Sequence, residues 1–174
     1  MTVSDDVQPQ AAGGPPQQDV YSSNPRSECL PYVPKGVRSV LDVGCGRGGF
    51  GRSLRDTLGD DVRLVGVEPV ESQAAIARVS GFDEVVVGYF PDALPSGDRF
   101  DLICFNDVLE HLVDPWTVLR RATSHLNPGG NFLSAIPNVE YAPVVRDLLR
   151  GNWNYVESGV LDVTHLRFFT RTPM

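Results

Sequence analysis

The chain has 174 residues, 41% of them hydrophobic, and a formal net charge of −7; that is enough length and apolar material for one domain with its own core. The acidic balance argues against broad phosphate-backbone binding, which needs a basic face, so no nucleic-acid partner is expected. No apolar run is long enough to cross a bilayer, and no basic region followed by an apolar run opens the chain, so neither a membrane partner nor a signal peptide is expected.

Residues 1 to about 20 are Gln, Pro, Gly, Ala and Asp without a periodic apolar pattern, which reads as a disordered tail ahead of one domain over 21–174. Ser27 to Val33 reads as a short helix. Val40 to Val43 is an apolar run that ends in five glycines between Gly44 and Gly51, followed by an amphipathic stretch with Phe50, Leu54 and Leu58 on one face: strand, tight turn, helix. A second apolar run, Leu64 to Val67, ends at Glu68. Glu71 to Ser80 reads as a helix closed by Gly81, and Glu84 to Val87 as a short strand. Phe100 to Phe105 is a buried strand. Asp114 caps a helix with Pro115 at its first position, carrying Val118, Leu119, Ala122 and Leu126 inward until Asn127-Pro-Gly-Gly130 stops it. Phe132 to Ile136 is the next strand. This alternation predicts an α/β fold with a doubly wound, mainly parallel sheet. Ligands of such sheets bind beyond the carboxyl ends of the strands, the edge that carries Asp42 to Gly49, Glu68, Asn106-Asp107 and Pro137-Asn138.

The glycine turn predicts a nucleotide-like cofactor, because glycine lets a ligand lie against the main chain and the new helix points free N–H groups at it. Gly44, Gly46 and Gly49 fit a dinucleotide fingerprint, with Glu68 placed to hold ribose hydroxyls. Asp42 decides between cofactors. An aspartate two residues before the first glycine repels a pyrophosphate but favours the ammonium and sulfonium of S-adenosylmethionine (SAM). A strand-end cap on the turn is the alternative for Asp42, but it leaves the joint occurrence of the acid, the glycines and Glu68 unexplained. Cys29, Cys45 and Cys104 are odd in number and widely spaced. They suit reduced thiols in a cytoplasmic protein, not a disulfide framework or a zinc site, and no metal is expected.

These segments together resemble the class I SAM-dependent methyltransferases. Val40-Leu-Asp-Val-Gly-Cys-Gly46 resembles their first motif, and Phe100 through Pro115 their fourth strand and following loop. Leu126-Asn-Pro-Gly-Gly130 is similar to the turn before their fifth strand, and Leu161 through Thr170 to a segment of one bacterial subgroup. The resemblance implies a Rossmann-like methyltransferase sheet, here lacking the C-terminal strands. It also implies methyl transfer from SAM to a small-molecule acceptor, with a hydroxyl oxygen the leading choice. A catalytically silent SAM-binding domain or partner subunit is the alternative. By the same resemblance, Asp42, Gly44 and Gly46 hold the methionine end of SAM, with Cys45 a further cofactor-binding residue, Glu68 holds the ribose, and Asn106 and Asp107 line the pocket near the methyl group. The family often has an acid after the glycine matching Gly88. Tyr89 stands there in this chain, so adenine recognition falls to stacking on Tyr89 or Phe90, or to Asp92. Because the fifth strand is not an edge in the family, a longer parent chain or a second copy as in a homodimer is expected to cover it.

Of three histidines, His125 is expected to be exposed near a helix end. His111 has two readings, a general base beside the methyl group, together with Asp107 as a candidate catalytic group, or a structural residue fixing the loop. His165 reads as a hydrogen-bonding residue of a lid. The aromatics and arginines between residues 138 and 169 belong to the region that builds the substrate wall in the family, with at least half of the aromatics expected to cover the sheet.

Overall fold

The computed structural model describes residues 23–172; the expected tail over residues 1–20 and the domain start at residue 21 lie outside the described residues. The elements run β1 (Ser39–Val43), α1 (Gly49–Leu58), β2 (Arg63–Glu68), α2 (Glu71–Ala77), β3 (Glu84–Val87), β4 (Phe100–Asn106), α3 (Pro115–Ala122), β5 (Leu126–Ala135) and α4 (Ala142–Leu149). The sheet order is β3-β2-β1-β4-β5, and every pairing is parallel. The chain winds outward from β1 to β3, then returns to the other side of β1. That reversal leaves a crevice between the tips of β1 and β4, the usual ligand position in such sheets.

The central strands are near-continuous apolar runs because both faces are covered. Alternate residues go to opposite layers. Val40, Leu64, Leu102 and Cys104 pack with Phe50 and Leu54 of α1 and Ala74 and Ala77 of α2. Leu41, Val65, Ile103 and Phe105 pack on the other face with Leu109 and with Ala122 of α3. Full burial of a side chain such as Leu54 or Phe105 contributes about 1.5–3 kcal/mol. Gly51 lets α1 approach closely: a Cβ there would lie 2.2 Å from the Phe82 ring. At the start of α3 the Asp114 carboxylate accepts a hydrogen bond from the Thr117 N–H at 2.9 Å, and Pro115 opens the helix, as the sequence predicts.

Several boundaries differ from the sequence expectation. The helix read over Ser27 to Val33 is a single 3₁₀ turn, Leu30–Tyr32, containing Pro31. The α2 helix ends at Ala77, not Ser80. The α3 helix ends at Ala122 and passes through a 3₁₀ turn, Thr123–His125, so Asn127-Pro-Gly-Gly130 does not stop it. Those four residues lie inside β5, where the pairing with β4 shifts register between Phe100 and Leu102. A register shift in a strand paired on one side accommodates proline and glycine. His125 is not exposed: it is 5% accessible, with Nδ1 2.9 Å from the Asp98 carbonyl and its ring against Phe90. All three cysteines are free and buried.

Among the described residues β5 pairs only with β4, and no residue of α4 is buried. The segment after α4 returns to the carboxyl end of the sheet. Asn138 pairs with Phe169, and the Leu166 and Arg167 N–H groups donate to the Glu110 carbonyl at 2.8 and 3.0 Å. The aromatics of this segment do not cover the sheet as expected. Trp153, Tyr155 and His165 gather around Phe168 at centroid distances of 5.3, 6.2 and 6.4 Å, with Trp153 and Tyr155 partly exposed. No helix among the described residues is long and apolar enough to cross a membrane.

Candidate active site

A cleft of about 690 Å³ opens at the β1–β4 switch point, a size suited to a small molecule or cofactor. Its floor is the turn after β1. Gly44 and Cys45 donate their N–H groups back to the Val67 carbonyl at 2.8 and 3.2 Å, which folds the turn over the end of β2. Gly44 has φ +69°, and a Cβ there would lie 2.7 Å from Val108 of the loop after β4. A side chain at this position is therefore excluded twice, by backbone conformation and by space.

Asp42 and Glu68 stand at this floor with 2% and 6% exposure. Burial, reinforced by the neighbouring Glu68 and opposed by Arg26, pushes the Asp42 pKa up to about 7. Burial also raises Glu68, against hydrogen bonds its two oxygens accept from the Val70 N–H at 3.0 Å and the Gly46 N–H at 2.9 Å. Each carboxylate oxygen keeps a lone pair for a further donor. Two buried acids beside a glycine turn call for a ligand that brings positive charge and hydroxyl donors, and they oppose a pyrophosphate. Two more observations point to a ligand. The Asn106 amide nitrogen is buried with no partner, and the space above Gly46 is open. This donor set fits SAM.

The opposite side comes from the loop after β4. Asp107, at φ +53°, forms an ion pair with Arg26, which stands at φ +48° in the segment before β1. Glu110 and His111 follow in a 3₁₀ turn, Leu109–His111. Glu110 is 1% exposed, neither of its carboxylate oxygens has a hydrogen-bond partner, and burial pushes its pKa up to about 7. His111 Nδ1 lies 3.3 Å from the Thr164 carbonyl and 3.2 Å from its hydroxyl. Burial and the nearby His165 hold the His111 pKa below its ordinary value, which favours the neutral ring. His165 is buried, its Nδ1 3.1 Å from the Val160 carbonyl, and the two imidazoles meet edge to face at 4.9 Å. Asp162 accepts from the Thr164 N–H at 2.8 Å and hydroxyl at 2.6 Å.

Asp42, Gly44, Cys45, Gly46, Glu68, Asn106, Asp107 and His111 thus all line one cleft, with Tyr89 and Phe90 at the tip of β3. Asp92 does not. It faces a separate surface pocket with Arg120 and Ser124, paired with Arg121, whose hydrogen bonds and charge hold its carboxyl below the ordinary range. Sequence reasoning missed Arg26 and gave Glu110 no role. A glutamate that follows Val108-Leu109 just past a buried strand, with Leu112 two residues on, is the signal that points to burial. It placed His165 in a lid, where the structure adds proximity to Glu110 and His111.

A methyltransferase-domain family model matches residues 18–174. The chain is 35% identical over 135 residues to the ubiquinone biosynthesis O-methyltransferase of Azorhizobium caulinodans, covering 67% of this chain and 51% of that protein. To the protein of the same name from Bradyrhizobium diazoefficiens it is 32% identical over 153 residues, covering 77% and 56%. The chain thus spans about half the length of the curated relatives it matches. Among solved structures, a SAM-dependent methyltransferase of Thermotoga maritima, described as a possible histamine N-methyltransferase, superposes with a TM-score of 0.62 at 26% identity, covering 83% of this chain and 62% of that one. A plantazolicin methyltransferase in complex with SAH and a substrate analogue shares the fold at 16% identity and a TM-score of 0.58, covering 73% and 48%.

Proposed function

From the premise that this chain belongs to the SAM-dependent methyltransferase family, we propose that it binds SAM in the β1–β4 cleft and transfers its methyl group to a hydroxyl oxygen of a small acceptor. The observation that carries the reading is the pair of buried acids, Asp42 and Glu68, at the Gly44–Gly46 turn. Asp42 faces the cationic end of the cofactor and Glu68 receives the ribose hydroxyls, each such charge-assisted bond contributing about 1.5–3 kcal/mol. The Asn106 amide supplies a free donor. Tyr89 and Phe90 are the groups at hand for the adenine. Bound SAM supplies a carbon already attached to a good leaving group, so the protein's task is alignment and removal of the acceptor's proton.

That proton has a receiver on the other side of the cleft. With His111 Nδ1 donating to Thr164, the lone pair stays on Nε2 of a neutral ring. Glu110 stands beside it, and Asp107, fixed by the Arg26 ion pair, lines the same cleft. The relatives named above are O-methyltransferases of ubiquinone biosynthesis, so hydroxylated aromatic rings are the first acceptors to test. A cytoplasmic location fits the three free cysteines.

The test is calorimetry with SAM, SAH and NAD, followed by product analysis with hydroxylated and aminated aromatic acceptors. Micromolar SAM binding without NAD binding, and methyl ether formation, are expected. Comparable NAD affinity would sink the cofactor assignment. A second reading, a SAM-binding partner subunit or part of a larger enzyme, draws on the unpaired edge of β5 and the unburied α4. SAM binding without turnover on any acceptor, restored by a second chain, would select it.

A further inference from the structure

Glu110, His111 and His165 each present a ligand atom within 4.8 Å of the other two. We propose that these three side chains bind one divalent first-row transition-metal ion at the acceptor side of the cleft, its remaining coordination positions open to an oxygen donor of the acceptor. The inference rests on the methyl-transfer reading only for the identity of that donor. It changes the role of His111 from proton receiver to metal ligand.

The first argument is the state of Glu110. Its carboxylate is 1% exposed, and neither oxygen meets a donor. A buried carboxylate without a partner is strongly unfavourable unless it stays protonated or meets a cation. Arg26, a cation of the same cleft, is engaged with Asp107. The second argument is the tautomeric arrangement. His111 Nδ1 faces the Thr164 carbonyl at 3.3 Å, and His165 Nδ1 faces the Val160 carbonyl at 3.1 Å. Each ring thus donates from Nδ1 to backbone and keeps its lone pair on Nε2, the outer-shell pattern that orients metal-bound imidazoles. Asp162 in turn anchors Thr164 through both its N–H and its hydroxyl.

The third argument is geometry. With ligand bonds of about 2.1 Å, atoms sharing one tetrahedral ion lie about 3.4 Å apart, so side-chain shifts of about an ångström complete the set. All three residues line the cleft, which leaves the open side of the ion toward the acceptor and not toward bulk solvent. Two imidazoles and one carboxylate select zinc, manganese, iron or cobalt over magnesium and calcium, which take oxygen ligands. The ion also ties residues 160–165 to the loop after β4, so loading it should fasten the cleft wall.

The test uses the full chain, freed of metal by chelation and titrated with Co²⁺ and Zn²⁺ in the absence of SAM and acceptor. One equivalent is expected to bind at micromolar affinity or tighter, to raise Tm, and to give Co²⁺ d–d absorption without a thiolate charge-transfer band. Mg²⁺ at the same concentration should leave Tm unchanged. Glu110→Gln, which keeps shape, and His165→Ala should each weaken binding by about 10–100-fold. Absence of stoichiometric binding to the folded wild-type chain overturns the proposal, as does a thiolate band or an affinity unchanged in Glu110→Gln. Because no SAM is present, failure here leaves the methyl-transfer reading standing, and loss of SAM binding leaves this one.

Discussion

Glu68 reaches the Gly46 N–H across 22 positions of sequence, from the tip of one strand to the turn after its neighbour. His111 meets Thr164 across 53 positions, from a 3₁₀ turn to a loop with no regular structure. The cofactor side of the cleft is thus held by parallel ladders and backbone hydrogen bonds. The acceptor side is held by a few bonds to the Glu110 carbonyl and by aromatic contacts around Phe168. Changes on the first side should alter cofactor affinity, and folding as well where the backbone is constrained, and changes on the second should spare cofactor affinity.

The largest effect is expected at Glu68. Its carboxylate shapes the turn through Gly46 and Val70 as well as offering lone pairs to a ribose. Glu68→Ala should weaken SAM binding by about tenfold to several hundredfold, the loss of two charge-assisted bonds, in a domain that still melts cooperatively. Glu68→Gln should fall between. Calorimetry that finds the Ala variant unchanged would break the contrast at its strongest point.

Gly44 comes next. An alanine there combines φ +69° with a 2.7 Å approach to Val108, which should lower stability by about 1–3 kcal/mol. At Gly46, φ is +53° but the space above is open. Gly46→Ala should therefore act mainly on ligand affinity, with the smaller shift in Tm. Denaturant midpoints and SAM titrations of both variants read the difference directly.

Asp42 gives a pH signature of opposite sign in the empty and loaded domain. Burial holds its pKa near 7 when no cation is present. A cationic cofactor binds the ionised form, so SAM affinity should fall about tenfold from pH 8 to pH 6. In the empty domain the folded pKa lies above the unfolded value of 3.8. The folded state then holds the extra proton, so Asp42 favours folding more as pH falls from 7 toward 4. An affinity flat across this range, followed by calorimetry, would mean that Asp42 stays ionised through Arg26.

The same contrast explains what the sequence disclosed. Strand identity, the parallel sheet and the candidate floor of the cleft were legible because β1, β2 and β4 are apolar runs ending in the candidate residues Asp42 with its glycines, Glu68, and Asn106 with Asp107. The wall was not. Arg26 reaches Asp107 from outside any periodic element, and Glu110 comes together with His165 only through the return of residues 160–167. Composition misled at Asn127-Pro-Gly-Gly130, where turn residues sit inside a strand whose register shift absorbs them. His125 looked like a helix-end surface residue. The Asp98 carbonyl and the Phe90 ring give it a buried seat that no local pattern announces.

The smallest effect tests where the cofactor side ends. Asp92 lies only three residues past Tyr89, yet Pro91 and the following turn carry it to a different surface, where it pairs with Arg121 and its side chain remains 75% exposed. Tyr89 and Phe90 stay on the cleft. If adenine is held by ring contact, Tyr89→Ala should weaken SAM binding by about two- to tenfold, the range of an aromatic contact worth about 0.5–1.5 kcal/mol. Asp92→Ala should leave the affinity within a factor of two, because an exposed ion pair outside the cleft has no route to the ligand. A tenfold loss in Asp92→Ala would reverse the assignment. It would require the loop after β3 to swing Asp92 away from Arg121 and over the adenine, and would make that loop a movable part of an otherwise strand-borne site.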